Sequence, residues 1–85
     1  FSKYNFELAN TENLFKNFDM LEKEAKALIE NKLSLPAYDQ CLKASHLFNI
    51  LDARGVISVA QRAEYISRIR DIVKGVGKVW LESQK

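Results

Sequence analysis

The chain has a single cysteine, a single histidine, a single proline and only three glycines. One cysteine excludes an internal disulfide and suits a reducing compartment, so the cytoplasm is the expected location. One histidine, with no second histidine, cysteine or carboxylate cluster at ligand spacing, gives no metal site, and His46 reads as a solvated surface residue. No glycine-rich loop follows a strand: Gly75 and Gly77 lie inside a helical pattern, which excludes a phosphate cradle there. No apolar run approaches the length of a membrane span, and no signal peptide, internal repeat or low-complexity tract is visible. The formal net charge of +2 is too small to argue for nucleic acid on average charge.

What is present is an ordinary globular mixture, 47% hydrophobic and 28% charged. Eighty-five residues allow one domain, taken here as residues 1–85. Eight Lys and Arg stand against five Asp and Glu in residues 34–85, and five against six in residues 1–33. The basic excess therefore sits towards the end of the chain. Phe1 in place of Met, and a helical pattern still running at Lys85, make a piece of a longer chain the expectation.

The segment from His46 to Arg70 organises the rest. Phe48, Ile50 and Leu51 close one apolar pattern, and Gly55 follows as a stop, because glycine enters the left-handed region without a Cβ penalty. Ser58 and Gln61 then have the spacing of a capping box. Two long helices are thus joined by a tight turn. The predicted fold is all-α, an antiparallel three-helix bundle-like domain with an extended N-terminal arm. The arm is residues 1–9, whose Phe1, Tyr4, Phe6 and Leu8 are expected to pack on the helices. Asn10 is the expected N-cap of a first helix over residues 11–31, with Leu14, Phe15, Phe18, Leu21, Ala25, Leu28 and Ile29 on one face. Asp19/Lys23 and Glu22/Lys26 form favourable i,i+4 pairs on that helix. Pro36 suits the first turn of a second helix running to about residue 54. That helix is apolar around most of its circumference, which predicts a central, buried position. A third helix over residues 59–83 carries a wide apolar face that includes Trp80. Gly77 falls on that face, as if to admit another backbone, and Gly75 falls on the polar side without a role.

Candidate chemistry is sparse. Cys41 sits on the densest apolar face and reads as a small core residue, with no histidine beside it to make a nucleophile. Ser45, Asn49 and Asp52 align as a polar stripe that reads as a hydrogen-bonding seam. Arg62 and Arg70 fall within the apolar sector of the third helix, where a charge needs a partner. Asp52 is the expected partner of Arg62, in a structural ion pair mostly shielded from solvent. If fully buried, its loss costs about 3–5 kcal/mol. The alternative is an arginine displayed to a phosphate or a partner carboxylate. Arg54, Arg68, Arg70 and Lys74 are candidate partner contacts. The basic residues from Arg54 to Lys78 also fit a helix-turn-helix reader of DNA, but they are spread around the helix and their net excess is small.

The wording of three stretches is more specific than these patterns. YNFELANTENLF, LPAYDQCLKASHLFNILDARGVIS and RAEYISRIR resemble the C-terminal part of the alpha subunit of the bacterial, heterotetrameric glycyl-tRNA synthetase. The resemblance covers essentially the whole chain, and Phe48 through Ser58 with Arg62, Tyr65, Arg68 and Arg70 carry it. It implies a class II aminoacyl-tRNA synthetase as parent, with a catalytic domain before these residues that binds ATP, Mg²⁺ and glycine. No cofactor and no catalytic residue is implied within residues 1–85. The implied role here is subunit association: with the beta subunit, within an alpha-subunit homodimer, and with tRNA(Gly) through the assembled enzyme. No membrane partner is expected. The competing reading is a free-standing three-helix module that binds protein or nucleic acid.

Overall fold

A computed structural model describes residues 2–84, with side-chain detail from residue 11 onward. It contains three helices, α1 over Ser2–Glu30, α2 over Ser34–Ala53 and α3 over Val59–Ser83, and no strand among the described residues. The connections are too short for anything but antiparallel neighbours. The chain is an all-α three-helix bundle.

α1 begins at Ser2, so residues 2–9 do not form an extended arm, and Asn10 is inside the helix instead of capping it. The reason is visible in retrospect. Positions 4, 8, 11, 15 and 18 keep a helical register that runs from Tyr4 and Leu8 into the stripe beginning at Leu14, Phe15 and Phe18, and neither proline nor glycine interrupts residues 2–30. The expected packing of Phe1, Tyr4, Phe6 and Leu8 lies outside the described side chains.

Both helix ends facing the turns use the same device. After α1, Lys32 takes φ 62°, and the N–H groups of Lys32 and Leu33 donate to Ile29 and Leu28 carbonyls at 3.0 and 2.9 Å. After α2, Gly55 takes φ 68°, and the N–H groups of Gly55 and Val56 donate to Asp52 and Leu51 carbonyls at 3.0 and 3.5 Å. These paired bonds satisfy helix-end carbonyls in the Schellman pattern. α3 starts with a complete capping box: the Gln61 N–H donates to Ser58 Oγ at 3.1 Å, and the Ser58 N–H donates to Gln61 Oε1 at 2.9 Å.

Two buried clusters hold the helices together. One contains Ala25, Ala37, Cys41, Ile72 and Val76, with Ile29 against it. The other contains Phe18, Ala44, Phe48 and Tyr65, with Phe15 and Leu47 against it. Small residues bring the axes close in the first, and aromatics fill the wider second, where Phe18 meets Tyr65 edge-on at 4.7 Å between ring centroids. Gly75 belongs to the close end. A Cβ on it would stand 2.8 Å from Ile29 Cδ1, so it faces α1 and not solvent. Gly77 has no atom of another described residue within 4 Å of a Cβ position. Within the bundle, the close approach expected at Gly77 is found at Gly75 instead.

α2 is not buried all round. Its buried residues, Ala37, Cys41, Ala44, Phe48 and Leu51, form one face, while Leu35, Tyr38 and Leu42 are exposed. With only two neighbours, both on one side of it, a helix cannot cover its whole circumference. The surplus apolar surface is left open.

Candidate functional site

That open surface continues onto α3. Tyr65, Ile72, Val76 and Val79 face the core, but the apolar sector beside them stays outside. Val73 is 51% and Trp80 48% exposed, and across from them Leu35 is 74% and Tyr38 50% exposed. Between the start of α2 and the end of α3 these side chains line a groove of about 330 Å³, with Val76 and Gly77 also on its wall. The antiparallel pairing of α2 and α3 forms it, by placing residues 34–38 opposite residues 73–80. Gly77 widens it by supplying no side chain.

Further along the same α2–α3 seam, Arg62 reaches Asp52. Arg62 Nε donates to Asp52 Oδ1 at 3.1 Å, and Nη2 donates to the same oxygen at 2.5 Å. The pair joins the two ends of the tight turn, but it is not shielded: the Arg62 side chain is 55% and the Asp52 side chain 34% exposed. Arg62 shares its helical sector with Trp80, and both are outside because the buried face of α3 is rotated away from them. An exposed pair of this kind contributes less than about 1 kcal/mol, far below the value for a buried one.

The charge linkage closer to the core is Arg68. Its Nε and Nη2 donate to Glu22 Oε2 and Oε1 at 3.0 and 2.5 Å, and Nη2 also donates to Asp19 Oδ1 at 2.7 Å. The guanidinium lies 4.9 Å from the ring centroids of both Phe18 and Tyr65. Asp19 is therefore turned to α3 and not to Lys23, while Glu22 keeps Lys26 at 3.7 Å. The Arg68 hydrogen bonds hold the Glu22 carboxyl below the usual range against the opposing effect of burial, and the same contacts raise the Arg68 pKa further. Arg68 is thus engaged within the fold. Arg54, the C-cap residue of α2, is engaged as well. Arg70 and Lys74 are exposed on α3 beside the groove.

The remaining candidates stay apart. Cys41 is buried in the core, and burial pushes its thiol up, away from the reactive thiolate. His46 is exposed, and no group of three or more metal-binding side chains exists among the described residues. No described helix is long and apolar enough to cross a membrane.

A family model for the glycyl-tRNA synthetase alpha subunit matches residues 1–85. The chain belongs to that family. It is therefore a region of an aminoacyl-tRNA synthetase subunit, with a ligase of protein biosynthesis as its parent and other subunits as its partners. For this alpha-subunit region, what sequence reasoning missed is the groove of Leu35, Tyr38, Gly77 and Trp80. Its signal was the excess apolar width of both α2 and α3. Read as periodicity alone, that width implies burial within the bundle, but three helices do not offer enough surface to cover it.

Proposed function

We propose that this region is the helical assembly element at the C-terminal end of a glycine–tRNA ligase alpha subunit, and that it associates with the beta subunit of the enzyme. The observation that carries the reading is the open apolar groove between α2 and α3 in a chain that matches the alpha-subunit family throughout. Contiguous exposed apolar surface of this kind marks interaction sites in soluble proteins. In this reading the parent enzyme is a cytoplasmic class II synthetase whose catalytic domain lies before residue 1. That domain binds ATP and Mg²⁺, forms the adenylate of glycine and dimerises with a second alpha subunit. The charging of tRNA(Gly) then needs the assembled enzyme.

Removing residues 1–85 from the parent alpha subunit tests this. Co-purification with the beta subunit should be lost, while glycine-dependent ATP–pyrophosphate exchange by the alpha subunit remains. Full assembly without these residues would show that the region serves another purpose.

A further inference from the structure

We infer that the α2–α3 groove seats an acidic amphipathic helix of the partner subunit, one that inserts a large apolar side chain between Tyr38 and Trp80 and lays Asp or Glu residues along Arg70 and Lys74. The identity of the partner as the beta subunit rests on the function proposed above; the location and chemistry of the seat rest on this structure.

Three observations point to it. First, Leu35, Tyr38, Val73 and Trp80 are half or more than half of the way out into solvent, or close to it, around a single concavity. A concave apolar wall with two aromatic rims is the form that receives anchor residues of a docked helix. Second, Gly77 interrupts the interior of α3, where glycine weakens a helix, and no contact among the described residues needs it. Gly75 is accounted for by Ile29; Gly77 is accounted for when another chain comes close to the α3 backbone. Third, Arg70, Lys74 and Lys78 follow one another at i, i+4 and i+8 along the outer side of α3, and none makes an ion pair among the described residues. An acidic partner complements that row.

The same charges argue against a second copy of this chain. The carboxylates near the groove ends are already taken, Asp39 by Lys43 at 3.4 Å and Glu82 by Lys32 at 3.2 Å. On α3 only Glu64 and Asp71 are acids without an ion pair among the described residues, against Arg70, Lys74 and Lys78, so self-association would set a net basic face against itself. A phosphate backbone fits less well, because the concavity itself offers it almost no hydrogen-bond donor.

The test uses the full alpha and beta subunits. Gly77→Leu fills the groove at a position with free space, so the melting temperature of the alpha subunit should stay level or rise. Its affinity for the beta subunit should fall by roughly 30-fold, the scale of losing one central anchor. Arg70→Glu with Lys74→Glu should weaken assembly and reverse the sign of its salt dependence, added salt now aiding association, because the acidic complement would then face like charge. Unchanged beta affinity in both variants overturns the inference. It leaves the assembly reading standing if deletion of residues 1–85 still abolishes co-purification, and both fail if it does not. Normal assembly with weakened tRNA binding in Gly77→Leu would make the groove an RNA site. A change in the oligomeric state of the alpha subunit alone would make it a self-interface. Either result overturns the inference.

Discussion

Gly75 of α3 and Ile29 of α1 meet so closely that a Cβ on the glycine would stand 2.8 Å from Ile29 Cδ1. This contact sits in the cluster where Ala25, Ala37 and Cys41 keep side chains small, and it sets how near α1 and α3 approach. Gly77, two residues on, makes no such contact.

The two glycines should therefore respond differently. Gly77→Ala should stabilise the domain by about 0.5–1 kcal/mol through helix propensity alone. Gly75→Ala gains the same propensity but must displace the end of Ile29, and should come out near neutral. Gly75→Val should destabilise by about 1–3 kcal/mol through overpacking. Urea unfolding of the three variants measures this, and equal shifts at both positions would show that α1 does not press on α3.

The two arginine linkages should separate in double-mutant cycles. Arg68 and Glu22, 25% and 14% exposed, should couple by about 1–3 kcal/mol. Arg62 and Asp52, 55% and 34% exposed, should couple by less than about 1 kcal/mol. A coupling at the turn larger than that at Arg68 would reverse the ranking drawn from exposure.

Acid sensitivity should report on Glu22. Its carboxyl is held below the ordinary carboxylate range in the folded state, chiefly because Arg68 hydrogen-bonds it. The stabilisation is therefore complete above the unfolded pKa and is lost as pH falls through the folded one. Wild type should exceed Glu22→Gln in stability by a constant margin at neutral pH, and the margin should shrink on acidification below the ordinary glutamate pKa of about 4.3. Thermal melts across that range decide it; a margin that holds steady to about pH 2 would mean that the pairing adds no pH dependence.

The two Schellman turns give opposite expectations. Gly55→Ala forces a Cβ into φ 68° and should cost about 1–2 kcal/mol. Lys32→Gly relieves the same conformation at φ 62° and gives up only an exposed bond to Glu82, so it should gain up to about 1 kcal/mol. A loss of stability in Lys32→Gly would assign more to the Glu82 contact than its exposure suggests.

Local signals were legible in the chain wherever the structure depends on neighbours in sequence. Gly55, Ser58 and Gln61 define the second turn because backbone sterics and capping hydrogen bonds act over a few residues. The bounds of α3 follow from the same cap and from continuous periodicity. The first turn was less clear, since Lys32 adopts a glycine-like conformation that its side chain does not advertise. At the start of α1, alternating aromatics and a helical register coincide over residues 4–8, so the pattern there fits an extended arm as well as a helix.

By itself, then, the sequence determined three helices, their tight joints, which face of α1 is apolar, and membership of the alpha-subunit family. Each of these depends on residue order alone. Only the tertiary structure decided how the apolar faces of α2 and α3 are divided between core and surface. A periodic pattern says that a face is apolar, not how much of it two neighbours can cover. Packing α1 against one side of the α2–α3 pair buried Val76 and Ile72 and left Tyr38, Val73 and Trp80 outside. It also turned Gly75 towards Ile29 and Gly77 towards open space, a distinction set by the rotation of α3 about its own axis.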